Sequence, residues 1–132
     1  MKKDFDQWNN RKKKTHEEEK CLIFYEREVW WCIAGVNIGV EIDGKHDLFL
    51  RPSIVIRKFN KDMALIIPTT AQDKHGKYYL IVGGDDGKSY NACLSQIRVI
   101  SSKRLFRKIG TISEEDYQKL IDEVAKMVKG LL

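Results

Sequence analysis

Val29-Trp30-Trp31-Cys32-Ile33-Ala34, Gly35-Val36-Asn37-Ile38-Gly39-Val40-Glu41-Ile42-Asp43-Gly44 and Phe49-Leu50-Arg51-Pro52-Ser53-Ile54-Val55-Ile56-Arg57 are the stretch on which the fold turns. The first run is apolar, rich in β-branched and aromatic residues, and too short for a helix, so it reads as a buried strand. The second is punctuated by glycine and reads as a loop. The third is a second strand, with Pro52 near its opening, where a missing N–H is tolerated. Working outward, further strands are expected at 63–69, 78–82 and 92–100, each bounded by Gly, Asp, Asn or Lys turn residues. Short strands at this spacing predict a small barrel or a strongly curved sheet.

The chain ends in a helix. Ser113 is a good N-cap, and Glu114, Glu115 and Asp116 fill the first turn, where the helix dipole favours acids. Tyr117, Leu120, Ile121, Val124, Met127 and Val128 form one apolar stripe that should pack on the sheet, and Gly130 closes the helix. Residues 1–26 have another texture. Phe5 and Trp8 share a helical face, but Arg11-Lys12-Lys13-Lys14 precedes Glu17-Glu18-Glu19, the weaker order for i, i+4 pairs. The segment reads as a polar helix or a loose arm, and a charged, solvated N-terminal extension over 1–26 with partial order at best is expected, ahead of a domain spanning 27–132.

With 132 residues, of which 42% are hydrophobic and 33% charged, the chain is long enough for one domain with its own core. No apolar run approaches a membrane span, and the charged start lacks a signal-peptide core, so a cytoplasmic protein without membrane contact is expected. Cys21, Cys32 and Cys93 show no Cys-x-x-Cys spacing, and His16, His46 and His75 are isolated. Reduced core thiols are expected, with no structural zinc site. The net charge of +5 invites a polyanionic partner. Between Gly87 and Ser113 the charged residues are Lys88, Arg98, Lys103, Arg104, Arg107 and Lys108, without an acid. That run is either a nucleic-acid contact or a solvated face.

One apparent nucleotide motif is discarded. Gly83-Gly84-Asp85-Asp86-Gly87-Lys88-Ser89 resembles a phosphate loop, but Val82 stands where the first glycine is needed, and a strand follows rather than a helix. This is a hairpin turn.

A different constellation carries function: Gly39-Val40-Glu41, Gly44, Arg51-Pro52-Ser53-Ile54-Val55-Ile56, Pro68-Thr69-Thr70 and Leu94-Ser95-Gln96-Ile97-Arg98. In this order, with Arg27-Glu28-Val29-Trp30-Trp31 before it and Ile109-Gly110-Thr111-Ile112 after it, the chain resembles the MazF/PemK family of toxin–antitoxin ribonuclease toxins. The resemblance implies an SH3-like β-barrel with a C-terminal helix, usually a homodimer. It also implies cleavage of single-stranded RNA at short motifs without a metal or other cofactor, leaving a 2′,3′-cyclic phosphate and a 5′-hydroxyl. Implied partners are the mRNA substrate, an acidic antitoxin and, only as the toxin–antitoxin complex, operator DNA.

Arg51 matches the family's catalytic arginine and Thr70 its threonine, with Thr69 the adjacent alternative. Arginine stays protonated, so it serves as a fork for phosphate charge rather than as a base. Glu41 matches the loop acid that would take the 2′-hydroxyl proton. Gln96 is either a base contact or a structural hydrogen bond, and Arg98, Lys103, Arg104, Arg107 and Lys108 are candidate RNA contacts. The departure from the family is Lys45-His46-Asp47-Leu48-Phe49-Leu50, which intervenes between loop and arginine. It would displace Glu41 and opens His46 or Asp47 as the proton acceptor. The runner-up is a non-enzymatic binder on the same barrel, like the CcdB toxins that act on DNA gyrase by protein contact. Arg51-Pro52 and Thr69-Thr70 together favour the nuclease, because such a binder has no need for that pair.

Overall fold

The computed structural model describes residues 2–20 and 22–132. In chain order the elements are α1 (Phe5–Glu17), β1 (Glu28–Ile33), β2 (Leu50–Asn60), β3 (Met63–Thr70), β4 (Tyr79–Gly83), β5 (Ser89–Cys93), β6 (Arg98–Ser101), β7 (Leu105–Thr111) and α2 (Glu114–Val128). All strand pairs are antiparallel. The order across the sheet is β4-β5-β3-β2-β1-β7, with β6 also on β3. An isolated bridge, Gly84 to Ile112, brings the two ends of this path together, so the sheet curls toward a barrel. The mainly β architecture closed by a C-terminal helix is the one the strand spacing predicts.

Side-chain alternation along β1 and β2 sorts the apolar residues into two cores. Val29, Ile54, Ile56 and Ile67 join Val82, Leu94, Ile112 and Leu120 on one face. Trp30, Cys32 and Val55 join Phe24, Ile66, Ile100 and Leu105 on the other. The apolar run of β1 thus packs largely within the chain. Leu120 of α2 is fully buried, with Tyr117, Ile121, Val124 and Met127 packed around it. Val128, expected in the same stripe, is 77% exposed. Ser113 Oγ accepts from the Asp116 N–H as the N-cap, and Gly130 takes φ +73° just beyond the helix.

The expected strand at 92–100 is broken. Leu94–Gln96 forms a 3₁₀ turn that drops Leu94 into the core, and pairing with β3 resumes three residues out of step. β7 was not legible as a strand, because Phe106, Arg107 and Lys108 are exposed in succession and two register shifts interrupt its pairing with β1. The hairpin at 83–89 is present, closed by Gly84 N–H donating to Lys88 O, with Gly87 at φ +79°.

The largest difference lies at the N-terminus. α1 is a formed helix, capped by Asp4, and it docks on the barrel instead of standing in solvent. Trp8 is buried with Ile33 and Phe49 in a third apolar cluster, and Phe24 belongs to the second core. Phe5, one turn before Trp8, stays exposed. Cys32 and Cys93 are free, buried thiols; Cys21 lies outside the described residues. Among the described residues no helix is long and apolar enough to cross a membrane.

Candidate active site

Arg51 is the second residue of β2, opposite Cys32 of β1, and only 8% exposed. Its guanidinium is held by two carbonyls: Nε donates to Asp43 O at 2.6 Å and Nη1 to Thr69 O at 3.0 Å. Neither acceptor is a carboxylate, so the side chain is fixed in direction without being neutralised by a bidentate acid. Burial lowers its pKa, offset in part by Cys93 and Asp43, yet arginine starts so high that it stays a cation. The result is an oriented positive charge at the wall of a cleft of about 220 Å³, lined also by Thr70, Gln72, Lys74, Ser95 and Gln96.

Thr70, at the end of β3, lines this cleft and a neighbouring cavity of about 200 Å³ containing Trp31, Pro52 and Tyr90. Its Oγ1 accepts from the Gln72 N–H at 3.2 Å, which leaves the hydroxyl proton available to donate. Thr69 is placed differently. It is buried, and its hydroxyl donates to Pro52 O at 2.8 Å while its carbonyl holds Arg51. Of the two threonines, Thr70 is the one that lines the cleft with Arg51.

Gln96 is engaged at both ends of its amide. Oε1 accepts from Ile42 N–H at 3.0 Å and Nε2 donates to Val40 O at 3.2 Å, so it straps the β1–β2 loop to the 3₁₀ turn. Glu41 sits on that loop, exposed, with Oε1 accepting from Ile38 N–H at 3.0 Å. It lines a second cavity of about 390 Å³ with Asn37, Ser95 and Arg98. The two cavities share Ile42, Ser95 and Gln96, so Glu41 and Arg51 face adjoining compartments of one groove.

The intervening residues 45–50 form a closed turn beside these compartments. Lys45 and Leu50 exchange backbone hydrogen bonds, so the extra residues fold out as a small turn. At its base Gly44 N–H donates to Gly35 O at 2.7 Å, and a Cβ at Gly44 would fall 1.7 Å from Phe49 O. Only glycine fits there. His46, at φ +64°, and Asp47 lie on the exposed turn and line neither compartment.

The basic run divides. Arg98 lines the Glu41 compartment. Lys103 Nζ donates to His16 O at 2.6 Å. Arg104 Nη1 donates to Ile33 O and Ala34 O, and its guanidinium lies over the Trp8 ring. Lys108 pairs with Glu28 at 3.0 Å. Arg107 is exposed on β7, beside Trp31 in register. Lys103 and Arg104 line a separate cavity with Trp8 and His16.

Sequence reasoning missed Lys74, Asn91 and Cys93, and gave Ser95 no role of its own within the Leu94–Arg98 stretch. Asn91 Nδ2 donates to Gln72 O and Lys74 O and so shapes the 71–77 loop over the cleft. Cys93 lines the cleft, and burial raises its thiol pKa although Arg51 and Lys74 pull the other way, so it remains a neutral wall. Only the adjacency of Cys93 to Leu94-Ser95-Gln96 signalled a place in the site.

The fold agrees with what the chain is similar to. A family model, PemK-like, MazF-like toxin of type II toxin–antitoxin system, matches residues 25–128. No curated protein sequence matches significantly. Among solved structures, MazF from Deinococcus radiodurans superposes with a TM-score of 0.70 at 13% identity, over 82% of this chain and 98% of that one. An endoribonuclease from a Mycobacterial species, in complex with its cognate antitoxin, superposes with a TM-score of 0.61 at 11% identity, over 81% and 96%. A MazE–MazF complex from Deinococcus radiodurans gives 0.60 at 12% identity, over 81% and 95%. At such identities the superpositions establish the fold, and the family match over most of the chain establishes kinship: the protein belongs to the PemK-like, MazF-like toxins of type II toxin–antitoxin systems.

Proposed function

We propose that this toxin is an endoribonuclease that cuts single-stranded RNA by transesterification, with Arg51 and Thr70 at its centre and Glu41 as proton acceptor. In that step the 2′-oxygen bonds to phosphorus, the bond to the 5′-oxygen breaks, the 2′-hydroxyl proton passes to Glu41, and the departing 5′-oxygen takes up a proton from water. The products are a 2′,3′-cyclic phosphate and a 5′-hydroxyl end. The observation that carries the reading is the Arg51 guanidinium, buried, aimed by two carbonyls and facing a polar cleft beside the Thr70 hydroxyl, whose proton is uncommitted. A preorganised cation of this kind stabilises phosphate charge that grows in the transition state.

Arg98 and Lys74 line the two compartments, and in this reading they meet the flanking phosphates. The expected setting is a cytoplasmic homodimer restrained by an acidic antitoxin whose chain lies across the same groove. Operator DNA is expected to bind the toxin–antitoxin complex alone. The test is incubation of the pure protein with a long single-stranded RNA in EDTA, followed by mapping of the ends. Cuts at a short recurring motif with cyclic-phosphate ends, absent with Arg51→Ala, support the reading. Intact RNA, together with inhibition of DNA gyrase by direct binding, transfers the protein to the CcdB-like mode.

A further inference from the structure

The family match begins at residue 25, yet the segment before it grips the loop that carries Glu41. Lys3 Nζ donates to Asn37 O at 2.6 Å and to Gly39 O at 3.0 Å, and pairs with the Asp43 carboxylate at 3.1 Å. Its side chain is 11% exposed. An ammonium has three donors, and here three loop acceptors take them. Asp43 also accepts from Asn37 N–H at 2.7 Å, and its carbonyl is the acceptor of Arg51 Nε. Direct contacts therefore run from Lys3 through Asp43 to the guanidinium.

The same segment holds both ends of the loop. Trp8 lies against Gly35, where a Cβ would come within 2.2 Å of its ring, and meets Phe49 edge-on at 5.5 Å. Arg104, over the Trp8 ring, ties down the carbonyls of Ile33 and Ala34. A loop with glycines at 35, 39 and 44 has many conformations to lose, so external tethers decide how much of the time it is ordered.

We propose that Lys3 is a positioning residue: it orders the 36–44 backbone, and through Asp43 fixes the Arg51 fork and the compartment of Glu41. The kinetic half of this inference rests on the ribonuclease reading; the ordering half does not. The test compares Lys3→Ala and Lys3→Met with Lys13→Ala, an exposed charge on the same arm, in the full chain. Three quantities are measured: kcat and KM on single-stranded RNA, amide exchange of residues 36–44, and urea unfolding. The expected result is a fall in kcat of about tenfold, a smaller change in KM, and exchange of 36–44 faster by about tenfold. Sheet amides and Lys13→Ala should behave as wild type. Unchanged exchange at 36–44 overturns the inference, as does a rise in kcat, which makes the arm a brake. Uniformly faster exchange in sheet and loop alike overturns it in favour of a merely structural arm. If the wild-type chain leaves RNA intact, the kinetic half falls with the ribonuclease reading, and the exchange contrast alone decides whether Lys3 orders the loop.

Discussion

The two walls of the Arg51 cleft are built by different means. The strand wall, Arg51 with Thr69, Thr70 and Cys93, is held by the β1–β2, β2–β3 and β3–β5 ladders. The loop wall, Val40 to Asp43, has no ladder. Beyond the local bonds of Asn37 to Ile42 and Asp43, its order comes from side chains far away in sequence: Gln96, Lys3 and, under Gly35, Trp8. A ladder positions by many small, cooperative contacts, whereas a tether positions by one contact whose loss is local. Damage to the strand wall should therefore remove chemistry or stability outright, while damage to the loop wall should loosen it by degrees.

The sharpest break is at the strand wall's cation. Arg51→Ala removes the charge aimed at the phosphate and should lower kcat by about 10²–10³. Arg51→Lys should recover little, because a point charge cannot reach Asp43 O and Thr69 O and still present a fork. End-mapping of RNA with both variants checks this, and full cleavage by soluble Arg51→Ala removes Arg51 from the site.

On the loop side the largest effect belongs to Gly35. At φ +77° an L-residue is strained by about 1–2 kcal/mol. The added methyl would also overlap the Trp8 ring, so α1 must lift or the loop must move. Gly35→Ala should cost roughly 2–4 kcal/mol in urea unfolding, and Trp8→Phe should relieve part of the clash. If Gly35→Ala is as stable as wild type, the arm is not seated on the loop.

These two walls also explain what the sequence showed in advance. The strand wall was legible because Arg51-Pro52 and Thr69-Thr70 sit on apolar runs whose alternation is a local property. The loop wall was not, because Lys3 lies 40 residues from Asp43 and Gln96 lies 54 residues from Ile42. No periodicity encodes such a contact. The N-terminal arm read as solvated because its charges outnumber its apolar residues, and burial of Trp8 depends on a glycine far along the chain. The three-residue offset after Cys93, which turns Ser95 and Gln96 out toward the loop, looked like an uninterrupted strand for the same reason: Leu94 and Ile97 keep the run apolar.

A pH experiment probes the core behind β1, the strand that backs the strand wall, without touching the loop. Burial raises the Cys32 thiol from 9.0 to about 11, more than Arg104 and Arg98 lower it. The folded state thus holds its proton after the unfolded state has released it. The stabilisation is complete below pH 9 and is lost progressively as pH rises toward 11, a span worth roughly 3 kcal/mol. Tyr90 and Tyr117, also raised by burial, extend the loss further upward. In Cys32→Ala the fall between pH 9 and 11 should shrink by about that amount, and an unchanged profile removes the thiol from the account. Gln96→Ala, by contrast, releases two hydrogen bonds to the loop, at about 1–2 kcal/mol. It should speed exchange at Val40 and Ile42 while leaving the β2 amides as they were.

The smallest effect separates cations that face the groove from cations that serve the fold. Arg98 and Lys74 line the two compartments, whereas Lys103 and Lys108 are bound to His16 O and Glu28. Each phosphate contact on single-stranded RNA contributes about 0.7 to the slope of log affinity against log salt. Lys74→Gln with Arg98→Gln should therefore flatten the slope by about 1.4, raise KM at moderate salt, and leave the cut sequence unchanged. Lys103→Gln with Lys108→Gln should keep the slope and lower the melting temperature instead, because Glu28, buried and bonded to Trp30 Nε1, loses its cation. If the second pair flattens the slope and the first does not, the RNA path runs over β7, where Arg107 is exposed, and the Arg51 cleft receives only the nucleotide that is cut.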